Sequence, residues 1–177
     1  KACMNAADVY TVYCEVTNAA GTVQTRTATL TVSINALLLY NAGNQQPSVT
    51  GGWKTAVESG LTVTFNSGNI EFKRVGTSYR NGTAYTKNKV DVSKFNKLIV
   101  TGNISTPGSE SNPFSVGLTT NNTAVRESQA AWHSRKVLKS AGNFTATLDI
   151  SGASGSYYVA LSSGACNTTV TKVQLTG

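Results

Sequence analysis

The chain consists largely of short segments in which apolar and polar residues alternate with the period of two that is typical of β-strands. After residue 33, the segments that fit this pattern best are 37–40, 61–65, 70–74, 97–103, 114–119, 143–150, 157–162 and 169–175. Turn sequences rich in Gly, Asn, Ser and Pro separate them. A helix of one or two turns is predicted only near 124–131. The pattern therefore indicates an all-β protein with less than about a tenth of its residues in helices.

Two further alternating segments, 9–17 and 22–32, flank the turn sequence from Asn18 to Gly21. This arrangement predicts a β-hairpin. Because an isolated hairpin is only marginally stable in water, we expect it to pack on the following domain, to pair with another chain, or to be the remnant of a larger module. The chain starts at Lys1 without a signal-peptide pattern, so we expect a piece excised or processed from a longer protein.

Composition supports the β prediction and excludes several other classes. Charged residues make up 13% of the chain, about half the share in an average soluble domain. Apolar runs are too short for insertion into a membrane. Three cysteines and one histidine at no metal-like spacing predict no metal site and no other cofactor. Cys166 is expected to be unpaired with Cys3 or Cys14, whereas a bridge between Cys3 and Cys14 stays open.

The net charge of +7, from 15 Lys and Arg against 8 Asp and Glu, falls entirely after residue 33. The basic residues are scattered, and no helix-turn-helix, zinc-finger or ribonucleoprotein motif accompanies them. Nucleic acid is therefore not an expected partner. Attraction to an anionic cell-wall polymer or to a membrane surface fits a scattered basic field equally well.

The first segment resembles the last two strands of a bacterial or phage immunoglobulin-like module. The resemblance rests on Asp8, the Tyr13-Cys14 pair, Gly21 and the closing residues 28–32. Val12 departs from the family pattern because a tyrosine occupies that position in the corner of such domains. The resemblance implies that residues 1–33 are the C-terminal hairpin of a partial immunoglobulin-like domain.

Residues 34–177 resemble the jelly-roll, galactose-binding-like β-sandwiches of carbohydrate-binding modules, which occur on phage tail proteins and Gram-positive surface proteins. The matching stretches are 38–44 followed by Thr50-Gly-Gly-Trp53, the Val90-Asp-Val-Ser93 entry into a strand, and the closing strands after Asp149. The resemblance implies a jelly-roll sandwich preceded by the partial hairpin. Such sandwiches also serve protein docking and architecture, so the fold alone does not settle the function.

The sequence does not predict an enzyme, because catalysis requires titratable groups that converge in one site. No nucleophile, zinc-protease or phosphate-binding motif occurs. A pair of catalytic carboxylates, as in glycosidases, would need the fold to join Glu58 with Glu71, or Glu110 with Glu127.

Glycan binding requires an aromatic ring for the apolar face of a sugar and polar groups for its hydroxyls. Trp132, with Gln129, His133 and Arg135 nearby, is the densest such cluster, although alternation would put Trp132 and Ser134 on one face and His133 and Arg135 on the other. The further candidates are Trp53, which follows two glycines, and Tyr79 and Tyr85, in a hairpin predicted around Asn81-Gly82. For each tryptophan the alternative is a packing role, and for the tyrosines it is a place on a solvated sheet edge.

These observations predict a non-catalytic, extracellular module that adheres to cell-surface or cell-wall glycans, as part of a phage virion protein (tail, fibre or decoration) or a bacterial surface protein. Other virion or surface chains would be its protein partners, and a homo-oligomer is compatible with the sequence. One alternative is a structural or oligomerisation domain without a small ligand, and another is an accessory module of a larger enzyme. Exposure of Trp53 or Trp132 beside a concave patch would favour the adhesive function.

Overall fold

The computed structural model describes residues 8–12, 15–24, 28–32, 36–109 and 111–177. The chain divides into two compact units, with the boundary between Asn35 and Ala36. Cys3, Tyr13, Cys14 and Glu110, on which expectations from the sequence fell, lie outside the described residues.

The first unit contains the predicted hairpin as two pairs of short strands. Strand β1 (Asp8–Val12) pairs antiparallel with β4 (Ala28–Val32), and β2 (Glu15–Asn18) pairs with β3 (Gly21–Gln24) across the exposed Ala19-Ala20 turn. The register shifts by one residue between the two pairs. The assignment of this unit to an immunoglobulin-like domain stays a prediction.

The second unit is built from twelve strands and two very short helices. In chain order these elements are β5 (Ala36–Asn41), α1 (Pro47–Thr50), β6 (Trp53–Val57), β7 (Leu61–Phe65), β8 (Ile70–Arg74), β9 (Asn81–Thr86), β10 (Val90–Asp91), β11 (Lys97–Thr106), β12 (Phe114–Thr119), the 3-10 turn Glu127–Gln129, β13 (Trp132–Leu138), β14 (Gly142–Asp149), β15 (Ser156–Gly164) and β16 (Asn167–Thr176). The 3-10 turn lies inside the segment for which a short helix is predicted, whereas α1, a single turn, was not predicted. The all-β prediction is confirmed.

The strands form two antiparallel sheets of six, packed as a two-layer sandwich. Sheet I has the order β13-β12-β15-β9-β6, with β10 also pairing with β15. Sheet II has the order β14-β11-β16-β8-β7, with β5 also pairing with β16. The chain changes sheets between β13 and β14, which is how a jelly roll alternates its strands between layers. The predicted jelly-roll sandwich is therefore confirmed.

The core lies between the inner faces of the two sheets, which alternation along each strand makes apolar. In β11, for example, Leu98, Val100 and Ile104 point inward, while residues 99, 101 and 103 are partly accessible. Phe72 of sheet II meets Phe114 of sheet I edge-to-face, with 5.3 Å between ring centroids. Contacts of this kind join the two layers.

The predicted hairpin around Asn81-Gly82 is wrong, because these residues begin strand β9 instead of forming a turn. Gly82 is buried, and a Cβ at this position would lie 2.3 Å from Cδ2 of Leu61 and 2.9 Å from Cγ1 of Val57. The glycine therefore serves close packing between strands, a use that local sequence does not distinguish from a turn.

Strands β10 and β14 each end in an Asp-x-Ser turn with the same hydrogen bonds. Asp91 Oδ1 accepts hydrogen bonds from the backbone N–H and hydroxyl of Ser93, at 3.0 and 2.7 Å, and Asp149 does the same for Ser151 at 2.9 and 2.7 Å. These hydrogen bonds lower the pKa of both carboxyl groups. Both carboxylates thus cap turns.

Candidate functional site

The outer face of sheet I is lined with small polar residues that are nevertheless buried. Strand β12 alternates large apolar residues, which enter the core, with Ser115, Gly117 and Thr119. Its register places Ser115 beside Ser162 of β15, which in turn lies beside Thr83 of β9. We call the set Thr83, Tyr85, Ser115, Thr119 and Ser162 the hydroxyl face; all five are fully buried.

The segment between β12 and β13, residues 120–131, covers the hydroxyl face, and we call it the strap. Tyr85 donates its hydroxyl hydrogen to the carbonyl oxygen of Ala124 at 2.6 Å, and Thr83 donates to that of Val125 at 3.1 Å. The hydroxyl groups of Thr83 and Ser162 also bond to each other at 2.9 Å. Side chains of the sheet thereby satisfy the backbone of the strap.

Glu127 joins the strap to both neighbouring strands. Its Oε1 accepts a hydrogen bond from the Ser115 hydroxyl at 3.0 Å and forms an ion pair with the guanidinium of Arg135. Its backbone carbonyl accepts a hydrogen bond from Nε1 of Trp132 at 2.8 Å. Thr119 adds a bond to the carbonyl oxygen of Ala130 at the end of the strap.

A second ion pair holds the strap near its middle. Nε of Arg126 lies 2.8 Å from Oε1 of Glu58, and Oε2 of Glu58 accepts bonds from the backbone and side-chain amides of Asn81 at 2.9 and 3.1 Å. Burial by itself would raise the pKa of the Glu58 carboxyl group, but the hydrogen bonds from Asn81 and Arg126 outweigh it and lower this pKa below its ordinary value. The Arg126 side chain is 58% exposed, so the pair contributes little to stability.

A polar recess of about 160 Å³ opens beside these two ion pairs. Its lining includes Asn81, Asn112, Arg126, Glu127 and Ser128. Amide, hydroxyl, carboxylate and guanidinium groups supply both donors and acceptors, the combination that binds the hydroxyl groups of a sugar.

Trp132 lies half-buried on this outer face. Its ring lies over Gly117, where a Cβ would be 3.0 Å from the indole carbon Cε3 and only 2.1 Å from the backbone oxygen of Ser134, so this position requires glycine. A register irregularity between Leu118 and Thr119 interrupts the pairing of β12 with β13.

The irregularity corrects the predicted distribution of side chains in β13. Trp132 and Arg135 both contact Glu127, so they share the outer face, contrary to simple alternation. His133 is exposed and stands apart from them, with its ring 4.7 Å from that of Tyr157 and its Nδ1 2.9 Å from the hydroxyl of Ser134. Gln129 is exposed on the strap. The structure thus brings Trp132 and Arg135 together through Glu127, without His133.

Trp53 and Tyr85 do not present rings to solvent. Trp53 is 4% exposed, its Nε1 donates to the carbonyl oxygen of Leu39 at 3.3 Å, and its ring meets Tyr40 edge-on at 6.4 Å. Burial raises the pKa of Tyr85 to about 12. The expectation that these two rings form a stacking platform is wrong for this structure, because both rings are buried.

Tyr79 is the one predicted tyrosine whose ring is accessible. It is 53% exposed. The guanidinium carbon of Arg74 lies 5.8 Å from its ring centroid, which is a weak cation–π contact at an exposed site.

Sheet II carries a different surface on its own outer side. A shallow depression of about 400 Å³ is lined mainly by Thr101, Asn103, Asn143, Thr145 and Thr169. Its polar side chains include a hydrogen bond from Nδ2 of Asn103 to Oδ1 of Asn143 at 2.7 Å. This face follows the period-two alternation that the sequence predicts for a half-buried sheet.

Cys166, the cysteine within the described residues, is a buried free thiol. Burial raises its pKa, which leaves it protonated and unreactive. Across the described ranges, no three His, Cys, Asp or Glu side chains gather into a group that could hold a metal ion. Nor does any helix in this part of the chain have the length and apolar character needed to cross a membrane.

No protein-family model matches the chain, and no curated protein matches its sequence. Among solved structures, the chain is similar to CBM29_1, a family 29 carbohydrate-binding module from Piromyces equi. The TM-score is 0.51 at 12% identity, over 82% of this chain and 93% of that one. A variant of CBM29-2 complexed with cellulohexaose superposes with a TM-score of 0.49 at 11% identity, over 81% of this chain and 92% of that one. At these identities the likeness to CBM29_1 shows the fold, a jelly-roll β-sandwich.

Sequence reasoning missed Glu127, Ser115 and Thr83 as parts of this region. Ser115 could have been found from the sequence, since small residues at every second position of β12 mark one face of the strand. Glu127 could not, because its partners Ser115, Arg135 and Trp132 meet only when the strap folds back over the sheet.

Proposed function

We propose that residues 36–177 form a non-catalytic module that binds glycans at the outer face of sheet I. The observation that carries the proposal is the half-buried Trp132, whose indole N–H bonds to the backbone of Glu127, a residue that also pairs with Arg135 and lines the polar recess. Apolar burial against the ring contributes about 25 cal/mol per Å². Each hydroxyl hydrogen bond adds only about 0.5–1.5 kcal/mol after exchange with water, so the ring would supply much of the affinity.

The fold supports this proposal. CBM29_1, to which the chain is similar in structure, is a carbohydrate-binding module. The described residues also contain little that favours catalysis, since Glu58 and Glu127 are each engaged by an arginine.

The resemblances in the sequence suggest where such a module would act. We infer an extracellular protein of a phage virion or a bacterial surface, in which the module adheres to cell-surface or cell-wall glycans and the hairpin unit joins it to other chains. The charge of +7 would assist attraction to anionic wall polymers.

A structural role without a small ligand is the second candidate, and the strap favours it. The strap closes the outer face of sheet I, leaving the five residues of the hydroxyl face fully buried. A sandwich closed in this way could serve as a spacer or oligomerisation unit.

A glycan array with the full chain, followed by affinity measurements with the best glycan, tests the proposal. We expect Trp132→Ala to lower affinity by at least tenfold and Trp132→Phe to retain part of it, because phenylalanine keeps an apolar ring. Tyr79→Ala is the matched control, since it removes another accessible aromatic ring away from the recess. Melting curves verify folding. Absence of binding to every glycan, or equal loss in the Trp132 and Tyr79 variants, would contradict the proposed site.

A further inference from the structure

The strap is attached to the sandwich mainly by polar contacts. Of the residues in 120–131, only Ala124 and Ala130 are buried apolar residues, and neither belongs to the core cluster between the sheets. Segments with few buried apolar contacts are the ones that open locally without unfolding of the whole domain.

The two ion pairs that hold the strap are accessible to water. The side chain of Arg126 is 58% exposed and that of Arg135 is 41% exposed. Ion pairs of this kind are screened by solvent and hold a segment only weakly. The strap also ends at Ala131, whose φ of 45° lies in the left-handed region that residues with a side chain rarely adopt. If opening of the strap lets Ala131 leave this strained conformation, the relief of strain favours the open state.

The surface beneath the strap carries hydroxyl groups, which are suited to binding water or a polar ligand. Burying hydroxyl groups costs free energy unless each is bonded, so this face needs polar partners wherever it is covered. Here Thr83, Tyr85 and Thr119 donate to backbone carbonyl oxygens of the strap. Water or the hydroxyl groups of a sugar chain could accept the same hydrogen bonds.

We propose that the strap is a displaceable lid, and that a glycan held at Trp132 extends onto the hydroxyl face in its place. The extension of a glycan onto the hydroxyl face rests on the proposed function. The displacement of the strap is a property of the protein alone and does not depend on a ligand.

Tyrosine nitration of the full chain in its native state tests the lid without any ligand. Tyr85, under the strap, and Tyr40, in the core, are both fully buried, so Tyr40 is the matched control. We expect Tyr85 to be nitrated at least tenfold faster than Tyr40, as read by peptide mass spectrometry. Glu58→Gln removes the charge that holds Arg126 and should accelerate the labelling of Tyr85 but not of Tyr40. Equal rates for the two tyrosines would show that only global unfolding exposes Tyr85, and would overturn the lid.

Hydrogen exchange and nitration in the presence of a bound glycan test whether the glycan extends onto the hydroxyl face. The glycan is the one that binds best on the array, and we expect it to increase exchange of the strap amides while protecting Tyr85 from nitration. A glycan that binds at Trp132 and leaves both signals unchanged would overturn the extension and leave the proposed function intact. If no glycan binds, the proposed function and the extension fail together, and the ligand-free labelling alone decides whether the lid exists.

Discussion

Glu127 shows how much of the outer face of sheet I depends on single residues. Its carboxylate bonds to Ser115 and pairs with Arg135, and its carbonyl oxygen accepts the indole N–H of Trp132. One residue thus fixes the position of the strap and the orientation of the ring that we propose for glycan stacking. Its loss would affect both.

Trp53 provides a prediction at the same scale. Its ring lies in the core and its N–H bonds to Leu39, so Trp53→Ala should lower the free energy of unfolding by about 3–5 kcal/mol. Tyr79→Ala, at an accessible position, should change it by no more than about 0.5 kcal/mol. Urea denaturation of both variants measures the difference. A stable Trp53→Ala variant with impaired glycan binding would instead place Trp53 at the ligand.

At the scale of elements, the strap differs from the strands it covers. Strands β9, β12 and β15 are held by backbone ladders on both sides, whereas the strap depends on side chains of its neighbours. The stability of the strap should therefore respond to conditions that leave the sheets intact.

Acid should loosen the strap before it unfolds the sandwich. The folded state lowers the pKa of Glu58, so its contribution is fully present above the ordinary carboxyl pKa and is lost as pH falls through the lowered value. We expect protection factors of the strap amides to fall only below the ordinary carboxyl pKa, as the pH passes through the lowered value, while those of β11 and β16 persist. Hydrogen exchange corrected for intrinsic rates measures this.

Glu58→Gln is the control for the acid experiment. Its strap should be less protected at neutral pH and should lose less protection on acidification. The same acid response in the variant would assign the effect to other carboxylates.

At the scale of the whole molecule, the second unit has a core of its own. The buried residues of its core cluster extend from Leu39 to Leu175. Its two antiparallel sheets enclose this core between their inner faces.

We therefore expect residues 36–177, produced alone, to fold and to unfold cooperatively, with the urea midpoint close to that of the same unit in the full chain. Circular dichroism and an NMR spectrum with dispersed amide signals would verify this. A collapsed or aggregated fragment would show that the hairpin unit is needed for the sandwich to fold.

The strands were predictable because alternation is a local property of the sequence. Strand β12 reads Phe-Ser-Val-Gly-Leu-Thr, and the sequence alone determined that its large apolar residues would share one face and its small polar residues the other. The same reasoning failed for Asn81-Gly82, since a glycine that permits close packing and a glycine that permits a turn look alike in sequence.

Whether each polar face is exposed or buried was decided only by the tertiary structure. The alternating Thr and Asn residues of sheet II remain at the surface, while Ser115, Thr83 and Thr119 of sheet I are buried beneath the strap. Likewise Trp53 is buried in the core and Trp132 is only half-buried, although each follows two small residues and precedes a polar one. Alternation fixes which side chains share a face because it depends on the backbone of one strand. What covers that face depends on contacts between segments far apart in the chain, such as Tyr85 with Ala124 and Glu58 with Arg126, which form only when the whole sandwich has folded.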